Sequence, residues 1–101
     1  MTAARLSGRA RRDLLAAATW IARENPNAAQ ALRDSVLVAA QRIGSHPQLG
    51  ISRSKIAKEP YRFLVLAGFP YIVVYNAMAT PPIVLRILHG ARDLPELLKD
   101  L

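Results

Sequence analysis

The chain has 101 residues and carries fourteen Lys and Arg against seven Asp and Glu, a formal net charge of +7. This length is typical of one folding unit, so we predict a single domain over residues 1–101. The positive charge suits nucleic acid or an acidic protein as partner, although a merely soluble basic surface would show the same balance. Because the chain has no cysteine, disulfides, a thiolate nucleophile and a cysteine-ligated metal site are excluded.

Targeting and cofactor signals are missing from the sequence. Residues 1–15 contain several arginines and no apolar core, unlike a signal peptide, and no apolar run approaches the ~20 residues of a membrane-spanning helix. The two histidines have no carboxylates at ligand spacing, and the five glycines are isolated rather than grouped in a phosphate-binding loop. We therefore predict a soluble cytoplasmic protein with no metal, no cofactor and no membrane contact.

The first half of the chain predicts a pair of helices. Thr2–Leu6 is expected to be a short added strand, and apolar residues then recur at helical spacing over Arg9–Glu24 and Pro26–Ile43. Asn25 suits the cap of the second helix, and Gly44 is expected to end it. A connection this short makes the two helices an antiparallel hairpin.

The second half predicts a sheet. β-branched and aromatic residues dominate Tyr61–Leu66, Tyr71–Asn76 and Ile83–His89, and Gly and Pro fall between these runs. Short connections imply an antiparallel meander, and the middle strand should be central and covered because both of its faces are apolar. A basic loop over residues 45–60 precedes the sheet, and a short helix over Leu94–Leu101 follows it. We predict an α+β fold in which the helical hairpin packs on a mostly antiparallel sheet of three to four strands.

Charged and apolar side chains indicate two candidate binding surfaces. Arg62 and Arg86 lie within otherwise apolar strands, and on a shared face they would form a basic strip with Arg92 that binds phosphates or an acidic protein segment. In the alternative, an Asp or Glu of the last helix neutralises these arginines. Trp20 and Leu37 lie beside the apolar stripes of the helices, and they either widen the core contact or form a groove for an amphipathic partner helix.

His89 is the candidate for chemistry. It ends the last predicted strand, and Arg92 follows three residues later. Such a pair could serve RNA cleavage, with the imidazole as acid or base and the guanidinium on the phosphate. In the alternative, His89 bonds a neighbouring carbonyl and fixes the turn. His46, directly before a proline, is interpreted as a turn residue.

Three stretches carry a family resemblance: Tyr61–Phe63, Tyr71–Tyr75 and Val84–Leu94. Together with the order of helices and strands, they make nearly the whole chain resemble the RelE/ParE superfamily of bacterial toxins, and within it the ParE branch. The resemblance implies the toxin half of a type II toxin-antitoxin pair, which poisons DNA gyrase and is neutralised by a ParD-like antitoxin whose C-terminal segment wraps the toxin. On this interpretation the antitoxin contacts are Trp20, Leu37, Arg62, Arg86 and Arg92, and the target contacts are Leu97 and Leu98.

Members of the RelE branch instead cleave messenger RNA with basic residues and a tyrosine. By resemblance, Arg62 and Arg92 fall at two of the basic positions, whereas Leu64 and Ile72 replace two others and Leu98 stands where a late tyrosine is expected. Aliphatic side chains cannot move a proton or stabilise a phosphorane. We therefore predict a toxin that acts by binding, without enzymatic activity and without direct sequence-specific nucleic-acid binding. The alternatives are a ribonuclease that uses the His and Arg pair named above, and a degenerate family member that only titrates antitoxin.

Overall fold

The structure, a computed structural model, describes residues 2–53 and 60–90 of the chain. Its elements in chain order are β1 (Arg5–Leu6), α1 (Gly8–Ala22), α2 (Pro26–Ser45), β2 (Tyr61–Val65), β3 (Tyr71–Asn76) and β4 (Ile83–His89). These strands form a four-stranded sheet in the order β1-β4-β3-β2, with β1 parallel to β4 and the other pairs antiparallel. Two helices pack on this mixed sheet, which confirms the predicted α+β fold. The predicted C-terminal helix lies outside the described residues.

Side-chain caps fix where both helices begin. Ser7 Oγ accepts a hydrogen bond from the Ala10 N–H at 3.1 Å, and Asn25 Oδ1 accepts one from the Ala28 N–H at 3.0 Å. Such caps satisfy N–H groups that have no partner within the first helical turn. Ser7 Oγ also donates to the Leu85 carbonyl at 3.0 Å. The start of α1 is therefore bonded to β4, at the point where β1 ends.

The prediction that Gly44 ends the second helix is wrong. α2 continues to Ser45, and the residue that caps it is His46. The His46 carbonyl accepts a hydrogen bond from the Leu49 N–H, which agrees with the interpretation of His46 as a turn residue. A Cβ on Gly44 would overlap the Thr2 carbonyl oxygen and lie 2.8 Å from Ala3 Cα. Glycine is needed here because the N-terminal segment crosses α2 too closely for any side chain.

The core lies between the helices and the sheet. The buried stripe of α2 is the one predicted from helical spacing: Ala29, Leu32, Val36, Ala39, Ala40 and Ile43. The buried residues of α1 are all alanines, so α1 approaches β4 closely. The four consecutive residues 72–75 of β3 are buried, which confirms that the middle strand is central and covered. Tyr75 is the largest of the fully buried side chains in the described residues.

Candidate functional site

A cavity of about 540 Å³ opens between α1 and the adjoining ends of β3 and β4. We call it the α1 groove, and its lining residues are Asp13, Ala16, Ala17, Trp20, Tyr71, Ile87 and His89. The α1 residues recur three and four positions apart, so they share one side of the helix. The strand residues come from the ends of β3 and β4, so the groove lies at the rim of the sheet.

Trp20 forms the exposed wall of the α1 groove. Its side chain is 67% exposed, although a large aromatic residue usually gains from burial. The guanidinium carbon of Arg23 lies 5.2 Å from the centre of the indole ring, a cation–π arrangement. An exposed indole beside an open groove is a candidate contact for another molecule.

His89 and Tyr71 form the opposite rim of the groove. They are directly paired across β4 and β3, and their rings meet edge to face with centroids 5.3 Å apart. The structure confirms that His89 ends the last strand. Its Nδ1 is buried and accepts or donates no hydrogen bond within the described residues. Within residues 2–53 and 60–90, Nδ1 therefore makes no turn-fixing bond of the kind that the sequence offered as the alternative role of His89.

Arg86 does not contribute to an exposed basic strip, so that prediction is wrong. The residue is only 8% exposed. Its Nε donates to Asp13 Oδ2 at 2.8 Å and its Nη2 donates to Asp13 Oδ1 at 3.1 Å, while the Ile87 N–H donates to Oδ2 at 3.0 Å. A neutralising carboxylate thus comes from α1, and the last helix, which the alternative named as its source, lies outside the described residues. This bidentate pair holds α1 against β4.

Arg62 and Arg86 contact different parts of the structure. Arg62 is paired across the strands with Tyr75 and shares its face of the sheet, whereas the Arg86 side chain binds Asp13 of α1. Arg62 Nη1 donates to the Gly50 carbonyl at 2.9 Å. Because Arg86 is buried in its pair with Asp13, the two arginines do not form one exposed strip, and Arg62 instead fastens the segment that leads from α2 to β2.

Tyr75 also binds the segment that leads from α2 to β2. Its hydroxyl donates to the Pro47 carbonyl at 2.6 Å and accepts from the Gly50 N–H at 2.7 Å. Burial raises the pKa of Tyr75, and the Gly50 hydrogen bond and the nearby Arg62 charge oppose this rise. This contact has no local signal in the sequence, because its partners are 25 and 28 residues away from Tyr75.

Leu37 is 59% exposed, as expected for a binding surface, but it does not line the α1 groove. A second cavity of about 380 Å³ lies between α2 and β2, where Val38 and Val65 are more than half exposed. Neither of these two cavities is lined by both Trp20 and Leu37. The groove predicted for the two residues stays a prediction. Sequence reasoning missed Val38, although it is adjacent to Leu37 and equally outside the buried stripe.

Some predicted site residues lie outside the described part of the chain. They are Arg92, Leu97, Leu98 and residues 54–59 of the basic loop before β2. Residues 2–53 and 60–90 hold no group of three or more His, Cys, Asp or Glu able to bind a metal ion. Neither helix in these ranges is long and apolar enough to cross a membrane.

The helical hairpin on a mixed sheet defines a small α+β protein with an open groove beside its first helix. The chain belongs to the ParE toxin family: the family model described as "ParE toxin of type II toxin-antitoxin system, parDE" matches residues 4–94. The protein is therefore the toxin component of a type II toxin-antitoxin system.

Two known proteins show the extent of the similarity. "Toxin RelE3" of Caulobacter vibrioides is 29% identical over 90 residues, which cover 89% of this chain and 96% of that protein. A solved structure described as "Chromosomal ParDE TA system from P. aeruginosa" superposes with a TM-score of 0.73 at 18% identity, covering 89% of this chain and 97% of that chain. The structural likeness shows that the fold is shared over nearly the full length.

Proposed function

We propose that this ParE-family toxin inhibits DNA gyrase in the cytoplasm and that a ParD-like antitoxin neutralises it. Family membership supports the choice of target. The observation that carries the binding mechanism is the exposed Trp20 beside an open groove on a basic helix. The toxin acts by occupying a surface of its target and performs no catalytic step.

The charge distribution favours an acidic antitoxin segment. Residues 2–53 and 60–90 contain ten arginines and three carboxylates, a difference of +7, which equals the formal charge of the whole chain. Arg86 and Asp13 neutralise each other, which leaves nine arginines against Glu24 and Asp34. Opposite charge on the partner speeds association and disfavours wrong partners.

The exposed apolar residues Trp20 and Leu37 are the main antitoxin contacts in this proposal, because each is more than half exposed. Arg62 is partly exposed and is a further antitoxin contact in this proposal, next to the segment around Gly50 to which it donates a hydrogen bond. Arg86 is buried, so it supports the surface through Asp13 without touching the antitoxin. Arg92 stays a predicted antitoxin contact, and Leu97 and Leu98 stay predicted target contacts.

Ribonuclease activity through His89 and Arg92 is the second candidate function. The observation in its favour is that His89 borders an open groove and that its Nδ1 lacks a bonded partner in the described residues. Against it, Leu64 and Ile72 supply no charge, and Ile72 is buried. Cleavage of RNA requires both a proton-transfer group and stabilisation of the phosphate. We therefore rank gyrase inhibition first.

A supercoiling assay tests the proposal. Purified gyrase and relaxed plasmid are incubated with the toxin, with and without the antitoxin encoded by the adjacent reading frame. We expect inhibition of supercoiling and protein-linked linear DNA, both relieved by the antitoxin. If the folded toxin stops cell growth but leaves gyrase unaffected, the gyrase target is wrong. Cleavage of cellular transcripts by the toxin but not by His89→Ala would then support the second candidate.

A further inference from the structure

We infer that four exposed arginines near the start of the chain bind the phosphate backbone of double-stranded DNA without reading its sequence. They are Arg5 of β1 and Arg9, Arg11 and Arg12 of α1, and we call them the basic patch. This inference goes beyond the proposed function, because it gives the toxin a DNA contact of its own that does not depend on gyrase.

Two side chains of the basic patch reach back toward β1. Arg11 Nε donates to the Leu6 carbonyl at 3.3 Å. Arg12 Nη1 lies 3.6 Å from the point that a Cβ on Gly8 would occupy. Both guanidinium groups therefore lie beside the junction of β1 and α1, where the other arginines of the patch are also placed by the chain. The positive charges share this small surface.

Residues 2–53 and 60–90 place no carboxylate in an ion pair with the basic patch. The first turn of α1 contains no acidic residue, although acidic residues are favoured there because the helix dipole leaves partial positive charge at this end. Asp13, which follows the patch directly in sequence, is already paired with Arg86. Like charges this close together destabilise the free protein. A bound polyanion removes this repulsion.

The basic patch suits a phosphate backbone better than it suits a protein surface. Protein interfaces depend on large apolar or aromatic side chains as central anchors, and residues 5–12 include none of the exposed large apolar side chains of the described chain. The nearest, Leu15, lies about one turn further along α1. Arginine presents planar N–H donors that match phosphate oxygens. Such contacts do not distinguish bases, so the binding is independent of sequence.

The same composition favours a duplex over a single strand. Proteins that bind single strands provide aromatic side chains on which the bases stack, and residues 5–12 contain no aromatic residue. The exposed Trp20 lies about 12 Å further along the α1 axis than Arg12. A DNA duplex presents closely spaced phosphates on its outer surface. A compact group of cations can therefore contact the duplex without any stacking.

The salt dependence of DNA binding tests this inference. Fluorescence anisotropy measures the Kd of the purified toxin for a labelled duplex of about 20 base pairs, at salt concentrations from about 50 mM to about 200 mM. If the whole basic patch displaces counterions from the DNA, the Kd should weaken about 100-fold over this range. Arg9→Gln with Arg12→Gln removes half of these contacts, so the same change in salt should weaken its Kd only about 10-fold. Arg5→Gln with Arg11→Gln should behave alike.

A matched control separates the basic patch from the net charge. Arg42→Gln with Arg53→Gln removes the same charge beside β2, at the opposite edge of the sheet from β1. Arg42 borders a cavity that β2 also lines, and Arg53 follows Ile51, which bridges to β2. This variant should keep the salt dependence of the original toxin and bind within about 3-fold of it. A duplex of scrambled sequence should bind equally well, and circular dichroism checks the fold of each variant.

Several outcomes overturn the inference. Equal salt dependence for the patch variants and the control variant would mean that DNA does not use the basic patch. Tighter binding of the matching single strand, or of an RNA duplex of the same sequence, would contradict double-stranded DNA as the ligand. Binding to vesicles that contain phosphatidylglycerol, lost in Arg9→Gln with Arg12→Gln and unaccompanied by DNA binding, would identify a membrane surface as the partner.

The binding assay needs neither gyrase nor the antitoxin, so the inference and the proposed function can fail separately. DNA binding through the basic patch together with a negative supercoiling assay would reject gyrase as target and retain the inference. Gyrase inhibition by a toxin that binds no duplex DNA by itself would retain the proposed function and reject the inference.

Discussion

Asp13 and Arg86 join the first helix to the last strand through two hydrogen bonds, Nε to Oδ2 at 2.8 Å and Nη2 to Oδ1 at 3.1 Å. The two residues are 73 positions apart in sequence, so the pair connects the two halves of the chain. We predict that Asp13→Ala lowers the free energy of unfolding by about 3 kcal/mol, because it removes a carboxylate that binds a buried guanidinium through two hydrogen bonds. Denaturant unfolding followed by circular dichroism measures this loss.

Asp34→Ala is the matched control for this prediction. Asp34 accepts a hydrogen bond from Gln30 Nε2 at 3.0 Å on an exposed face of α2. Its replacement should cost less than about 0.5 kcal/mol, as is usual for an exposed helical pair. Equal losses for the two variants would mean that the pair of Asp13 and Arg86 is worth no more than a surface contact.

Gly44→Ala should destabilise the protein by about 1–3 kcal/mol, the usual cost of an overpacked site. Alanine normally stabilises a helix relative to glycine by about 1 kcal/mol, so the predicted sign is reversed. The reason is the overlap of the new Cβ with the Thr2 carbonyl and with Ala3 Cα. Gly8→Ala is the control, because its Cβ meets only Arg12 Nη1, at 3.6 Å. A stabilising Gly44→Ala would show that the N-terminal segment can move away from α2.

Local patterns in the sequence account for most of the fold. The buried stripe of α2 follows from apolar residues at helical spacing, and Asn25 and Pro26 mark its start by their local chemistry. The three strands of the meander follow from β-branched and aromatic runs separated by Gly and Pro. The role of Gly44 was predicted wrongly because a glycine near the end of an apolar helical pattern can either end the helix or make room for a segment that crosses it. Only the position of the N-terminal segment distinguishes the two.

The candidate site depended more on contacts between distant residues. Trp20 and Leu37 fall beside the regular apolar stripes, a position that fits either a wider core contact or a groove, and both side chains are exposed. The predicted basic strip of Arg62 and Arg86 was wrong because it depends on two facts, the register of the strands and the carboxylate that pairs with Arg86. The register shifts between Val74 and Tyr75, and the carboxylate that binds Arg86 lies in the first helix. Neither fact has a local signal in the sequence.

The raised pKa of Tyr75 predicts a loss of stability in alkaline solution. Burial is the main cause of the shift from the usual value of 10.0. The folded protein therefore keeps the phenolic proton at pH values where the unfolded chain has released it. This contribution to stability is fully present below the unfolded pKa of 10.0 and is lost as the pH rises from there through the folded pKa. The free energy of unfolding should fall accordingly when it is measured between about pH 8 and pH 11.

Tyr75→Phe isolates the contribution of this hydroxyl. It removes the hydrogen bonds to Pro47 and Gly50, so we expect a loss of about 1–2 kcal/mol at neutral pH. Above pH 10 the difference between the two proteins should shrink, because the variant has no phenol to ionise at this position. A difference that stays constant up to pH 11 would contradict the assignment of the alkaline loss to Tyr75.

His89→Ala separates the binding mechanism from the catalytic one in living cells. If the toxin acts by binding gyrase, the variant should inhibit growth within about 2-fold of the original protein and still induce the DNA-damage response. The edge-to-face contact with Tyr71 is lost, so stability should fall by about 1 kcal/mol. Growth after induction and a DNA-damage reporter are the measurements, and thermal unfolding checks the fold. His89→Gln, which keeps a polar side chain at the rim, is the companion variant. If both variants stay folded but lose toxicity, and cellular transcripts are no longer cleaved, His89 takes part in catalysis and the binding mechanism is wrong.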